Sequence, residues 1–258
     1  MISVGLSEDF IIKPIPDLPP QIQEAAEHGE LVVFIGAGCS CLLGYPDWKA
    51  YSNGVLTQIL GEKTPSILIN FDPRVKLSIA SEMASNKKET IDYKKILTAK
   101  NDAETNIKRK RLNNALLKLT NHFVTTNYDR ELDTMILQRP AKREFLDHIG
   151  PYDTQKYTAK IILSPSECLF SSIGYKGGVV FHIHGSVEKP ETMVQTLKDY
   201  ISLYHVRQAE ECDSDSNGIT YFLEQLFHSD FTVLFLGYGL NEMEILEYIT
   251  RVQDRKMK

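Results

Sequence analysis

The sequence predicts an α/β fold: a Rossmann-like, doubly wound, mainly parallel sheet with a helical insertion forming a cap. Three observations predict it. Apolar runs rich in β-branched or aromatic residues begin at Leu31 (LVVFI), Phe123 (FVTTN), Val179 (VVFHIHG) and Phe231 (FTVLFLGYG), and each stops at glycine or polar residues. Short apolar runs without alternation suit strands buried on both faces of a parallel sheet. Stretches of helical spacing lie between them, and alternating strands and helices are the pattern of a doubly wound sheet. The first run also breaks into Gly36-Ala37-Gly38, a turn that carries a strand into a helix.

In chain order, QIQEAAEHGE precedes the first strand and reads as a helix. WKAYSNGVLTQIL follows the glycine turn, with Trp48, Tyr51, Val55, Leu56 and Ile59 near helical spacing. SILINF, residues 66–71, reads equally as a strand or as a helix end. Residues 102–119 read as a helix leading into the second strand. After Thr192, MVQTLKDYISLYH and ITYFLEQLF read as two further helices. In NEMEILEYITRVQ, the residues Met243, Leu246, Ile249 and Val252 fall on one helical face. Residues 45–101, long and mostly helical, form the expected insertion over the sheet edge. Residues 150–178 are loop-rich, and the acidic stretch 211–218 reads as an exposed loop. The whole of 1–258 reads as a single domain, and its end soon after the last helix fits the N-terminal part of a longer protein.

Bulk properties exclude several classes. A content of 42% hydrophobic and 24% charged residues is that of a globular chain rather than a disordered one. A net charge of -5 argues against direct nucleic-acid binding, and the basic run KRKRL at 108–112 reads as the solvated face of a helix. Cys39, Cys41, Cys168 and Cys212 include no CxxC pair, so no zinc is expected and a reduced, cytoplasmic protein is the natural reading. The N-terminus lacks the basic and apolar regions of a signal peptide, and no apolar run approaches a membrane span.

In such a sheet, ligands bind at the carboxyl ends of the strands. The strand ends here supply Gly36-Ala37-Gly38-Cys39-Ser40, Thr125-Thr126-Asn127-Tyr128-Asp129, His182-Ile183-His184-Gly185-Ser186 and Gly237-Tyr238-Gly239. Gly36 and Gly38 would let the backbone approach a phosphate closely, though the same turn needs no ligand to exist. Asp47 is open to a plain role as cap of the helix from Trp48, and Asp129 as cap of the segment from Arg130. His184, before Gly185, is either a general base facing a cleft or a histidine satisfied by hydrogen bonds at the sheet edge. His182 would share its face, two residues back along a strand.

Taken together these segments resemble the sirtuins. The pattern G-A-G-x-S-x-x-x-G-[IY]-P-[DE]-[FW] is matched by Gly36, Ala37, Gly38, Ser40, Gly44, Tyr45, Pro46, Asp47 and Trp48. The signature T-[QT]-N-x-D is matched by Thr125, Thr126, Asn127 and Asp129, and the H-G element by His184-Gly185. Gly237-Tyr238-Gly239 is a looser match. The zinc cysteines of protein-deacylating sirtuins are missing. Phe181 to Ser186, Met193 to Tyr200 and Leu234 to Ile245 look instead like the zinc-less, sirtuin-like domains of bacterial antiphage-defence proteins.

That resemblance implies hydrolysis of NAD to nicotinamide and ADP-ribose, with NAD as substrate. It implies that Gly36, Ala37 and Gly38 hold the pyrophosphate with Ser40 nearby, that Gly237 and Gly239 lie by the adenosine half, and that Asp47 lies near the nicotinamide ribose. Trp48, Thr126 and Asp129 join the binding set, and Asn127 and His184 are the implied catalytic residues, with no metal. It further implies a gated activity, through a homo-oligomer or an activating partner such as an Argonaute-like or HerA-type ATPase protein. A zinc-less NAD-dependent deacylase and a non-catalytic NAD or ADP-ribose sensor are the alternatives.

Overall fold

A computed structural model describes residues 17–61, 65–139, 158–204, 218–239 and 242–256. Most of the loop expected at 211–218, and the start of the loop-rich region at 150, lie outside these residues. The runs read as strands are β1 (Leu31–Ile35), β2 (His122–Thr125), β4 (Val179–His182) and β5 (Thr232–Leu236), joined by a short edge strand β3 (Lys160–Ile162). The order across the sheet is β3-β4-β2-β1-β5, and every pairing is parallel. The expected mainly parallel sheet is thus wholly parallel among the described residues. β3 has no run of its own to announce it, being three residues long and only partly buried.

Alternation along β1 builds two cores. Leu31, Val33 and Ile35 pack with Phe123 and Val180 on one face, whereas Val32 and Phe34 pack with Val124, Val179 and Phe181 on the other. The first face is covered by α1 (Pro20–His28), α7 (Ala103–Leu119) and α8 (Glu131–Leu137) through Ala25, Leu116, Leu132, Met135 and Ile136. The second is covered by α9 (Leu197–Tyr204), α10 (Gly218–His228) and α11 (Met243–Lys256), through Tyr200, Phe222, Leu226, Ile245 and others. In a parallel sheet the crossover connections place helices on both faces, which is how a sheet apolar on both sides is covered.

Between β1 and α7 the chain forms a very short helix α2 (Ala37–Cys41) and then α3 (Trp48–Leu60), α4 (Ser66–Ile69), α5 (Pro73–Lys87) and α6 (Tyr93–Ile96). SILINF therefore resolves to helix followed by turn. Aspartates open four of the helices: Asp47, Asp72, Asp92 and Asp102 each accept a backbone N–H of the first turn, satisfying donors that a helix leaves unpaired. These cap helices share a small core of Tyr51, Val55, Leu56, Leu77 and Ala80 with Tyr128 and Met193 from the rim of the sheet. The basic run lies on α7, where Lys108 pairs with Glu104 in solvent, but Arg109 turns inward to Glu131 at 2.8 Å. Among the described residues no helix is long and apolar enough to cross a membrane.

Candidate active site

The register sets the site. Ile35 lies opposite Thr125 and Leu236, and Thr125 lies opposite His182, so the four chain reversals after β1, β2, β4 and β5 leave the sheet at one level. β2 lies on one side of β1 and β5 on the other. Their diverging loops open a crevice, the place where such sheets bind ligands.

The loops after β1 and β5 touch backbone to backbone. The N–H of Gly36 donates to Leu236 O at 2.9 Å and that of Gly38 to Gly237 O at 2.8 Å. A Cβ on Gly36 would lie 2.5 Å from Tyr238 Cα, and one on Gly38 2.8 Å from Gly237 O. The glycines of the opening turn are therefore required by the fold itself, and the N–H of Gly38 is committed within the protein.

Asn127 occupies the centre. The Thr125 hydroxyl donates to Ile35 O at 2.9 Å and accepts the Asn127 N–H at 3.0 Å, fixing the turn. The side-chain nitrogen of Asn127 donates to Gly36 O and to Ser40 Oγ, both at 3.0 Å. A carbonyl only accepts, so this contact fixes which end of the amide faces inward. The carboxamide oxygen is then the end that can accept from a ligand. Ser40 Oγ in turn donates to Asp129 Oδ2 at 2.7 Å, and Asp129 Oδ1 accepts the Glu131 N–H at 3.0 Å. Burial pushes the Asp129 carboxyl up, partly offset by those two hydrogen bonds. Asp129 thus orients Ser40 and the start of α8.

His184 and His182 do not share a face. β4 ends at His182, so strand alternation does not extend to His184, which sits in the following turn. His182 is fully buried, with Nδ1 3.0 Å from Asn127 O and Nε2 2.8 Å from Asp133 Oδ1. Both partners are acceptors in their usual state, an arrangement that favours the doubly protonated ring. Burial alone would lower its pKa, but the hydrogen bond and charge of Asp133 outweigh it and raise it. Stability from this pair is complete below about pH 6.5, the ordinary histidine value, and is lost as pH rises through the raised folded pKa. Thermal unfolding should therefore show a melting temperature that declines on the alkaline side, with a shallower decline in Asp133→Asn. Equal slopes in the two proteins would refute the pairing.

His184 lies within an aromatic and acidic wall. Its Nε2 is 2.6 Å from the Tyr204 hydroxyl and 3.8 Å from Glu242 Oε2, and its ring meets Tyr200 edge-on at 5.2 Å. Burial, and then the Arg74 charge, push the imidazole down to about 3, so it is neutral at physiological pH and a weak base. Arg74 of α5 binds Glu244 of α11 through two contacts, 2.6 and 3.2 Å, and lies 3.8 Å over the Tyr200 ring. That bidentate pair ties the cap to the sheet layer.

Together these surfaces enclose a cavity of about 770 Å³, within the range of roughly 300–1,000 Å³ typical of small-molecule sites. Ala37, Gly38, Ser40, Asp47, Trp48, Thr126, Asn127, Asp129, His184, Gly237 and Gly239 all line it. Gly36 stands just behind, presenting its carbonyl to Asn127. Asp47 lines the cavity while also capping α3 through Ala50 N at 2.7 Å. Sequence reasoning missed Arg74, Tyr200, Glu242 and Glu244, which complete the far wall. Tyr200 closes the segment MVQTLKDY already singled out, but nothing local marks Arg74. Among the described residues no group of three or more metal-ligating side chains comes together.

Fold and site together define a Rossmann-like α/β domain, with a cavity at the carboxyl edge of a parallel sheet and a helical cap beside it. The SIR2-like domain family model matches residues 121–258, and the chain belongs to that family. It is also 23% identical over 244 residues to Defense-associated sirtuin 2 of Bacillus subtilis, an overlap covering 90% of this chain and 20% of that protein. The chain thus spans about a fifth of the length of the curated relative it matches.

Proposed function

We propose that this chain hydrolyses NAD to nicotinamide and ADP-ribose, as a gated cytoplasmic effector of antiphage defence. The observation that carries the reading is the convergence of Asn127, linked to Ser40 and Asp129, with neutral His184 on one cavity large enough for a dinucleotide. Membership of the SIR2-like family supports NAD as the ligand. The name of the Bacillus relative supports the defence role.

On this reading Gly237 and Gly239 face the adenosine half and Asp47 and Trp48 the nicotinamide ribose, with Ala37, Gly38 and Thr126 completing the binding surface. The carboxamide oxygen of Asn127 holds the ribose hydroxyls or the attacking water. The leaving group is already cationic, so its departure needs little acid assistance and leaves an oxocarbenium-like centre, as in glycoside cleavage. The buried hydrogen-bond chain behind Asn127 holds it in place before substrate arrives. Gating would come from self-association or from an activating partner protein.

The test is nicotinamide release from NAD alone, in the parent, Asn127→Ala and His184→Ala, with and without an acyl-lysine peptide. Release from the parent alone, lost in both variants, is expected. Release only with the peptide would make the protein a deacylase, and tight binding of NAD without turnover would make it a sensor.

A further inference from the structure

The far wall of the cavity holds a carboxylate that the scheme above leaves without a role. Glu242 follows β5 on the approach to α11 and lines the cavity. Its Oε2 accepts the Tyr238 hydroxyl at 2.8 Å and lies 3.8 Å from His184 Nε2. That nitrogen is engaged by the Tyr204 hydroxyl at 2.6 Å. A ring nitrogen offers either one proton or one lone pair, so the Tyr204 contact engages Nε2, and burial beside Arg74 keeps the imidazole as a whole a weak base. Glu242 keeps carboxylate lone pairs beyond the one that Tyr238 occupies, and it faces the same space.

We propose that Glu242 is the proton acceptor of the hydrolysis, with His184, pinned by Tyr204, shaping the wall beside it. This rests on the reading of the cavity as an NAD-hydrolysing site. Water forms the new C–O bond at ribose C1′ as the C1′–N bond breaks. The bonding pair leaves with nicotinamide, which departs neutral. The proton released by water passes to the Glu242 carboxylate and then to solvent, so the products are nicotinamide, ADP-ribose and one proton.

The groups facing Glu242 are Tyr238 after β5, His184 after β4, Tyr128 after β2, Tyr200 and Tyr204 of α9, Arg74 of α5 and Glu244 of α11. Burial raises the Glu242 carboxyl to about 7, against the downward pull of the Tyr238 hydrogen bond and of Arg74. Its ionised form is the acceptor, so the rate should climb with pH to a plateau above about 7. His184, at about 3, titrates far outside that window.

The test is the pH profile of nicotinamide release for the parent, Glu242→Gln and Glu242→Asp between about pH 5 and pH 9. Glu242→Gln should lose the limb near neutrality and fall by roughly 10²-fold at the plateau, the lower end of what a positioned base contributes. Glu242→Asp should recover part of the rate and keep the limb. Thermal unfolding adds a readout independent of turnover. The folded state holds the carboxyl proton up to about 7 rather than the ordinary 4.5, so stability falls as pH rises between those values. Glu242→Gln should therefore melt above the parent at alkaline pH, with the gap closing in acid. A parent limb unchanged in Glu242→Gln, or no pH-dependent gap in melting temperature, would overturn the assignment alone. Absence of release from the parent would overturn it together with the hydrolase reading.

Discussion

Asn127→Ala is expected to lower nicotinamide release by at least about 10²-fold, the scale set when a reacting partner loses its positioning group. The expectation follows from how the amide is held. Its nitrogen is fixed to Gly36 O and Ser40 Oγ, and its main chain is fixed at both ends, the N–H by Thr125 Oγ1 and the carbonyl by His182. Alanine keeps the backbone contacts and removes only the group that reaches into the cavity. The loss of two hydrogen bonds should cost about 1–3 kcal/mol of stability, so the variant should fold. Ser40→Ala serves as the control: it removes one tether of the amide but leaves the amide in place, and should cost less activity. Rates per folded molecule that agree between Asn127→Ala and the parent would remove Asn127 from the chemistry.

The second large effect is on stability. Gly185→Ala should destabilise the protein by about 3 kcal/mol, from a left-handed backbone costing roughly 1–2 kcal/mol for a residue with a side chain and a comparable overpacking cost. Gly185 has φ 79°, and a Cβ there would lie 2.1 Å from Thr192 O. The neighbouring strap cannot simply give way. The Thr192 N–H donates to Lys189 O, Ser186 pairs with Lys189, and Val194 N–H donates to His184 O. Gly174 supplies the comparison: its φ is 83°, yet nothing lies within 4 Å of a Cβ built there. Gly174→Ala carries the backbone strain alone. Gly185→Ala should lower the melting temperature by about 10 °C for a chain of this size, and Gly174→Ala by about half of that. Equal shifts would mean that the strap yields.

This comparison bears on what the His-Gly pair means. In the sequence it stands out as part of a family pattern, and the functional weight falls on the histidine. In the structure the glycine is required by a backbone approach, and the histidine is neutral and held by Tyr204. Gly36 and Gly38 read similarly: the close approach they permit is to the β5 loop.

Much of the fold was legible because its signals are local. β1, β2 and β4, buried on both faces, had to be written as uninterrupted apolar runs; β5, a partly buried edge strand, is long enough at five residues to carry one as well, and aspartates stand where helices begin. β3 escaped because a three-residue edge strand, partly exposed, buries too little to leave such a run. His182 was misread for a related reason, since period-two alternation holds only while the strand lasts, and β4 stops there.

By itself the sequence determined the parallel sheet, the crevice at its carboxyl edge and the residues its strand ends deliver, because chain order and burial dictate those. Only the tertiary structure decided the opposite wall. Arg74 and Glu244 are 170 residues apart, and Glu242, Tyr238, Tyr204 and His184 come from three separate segments. No periodicity records such meetings, because the charge states of these groups depend on burial and on neighbours that only folding supplies.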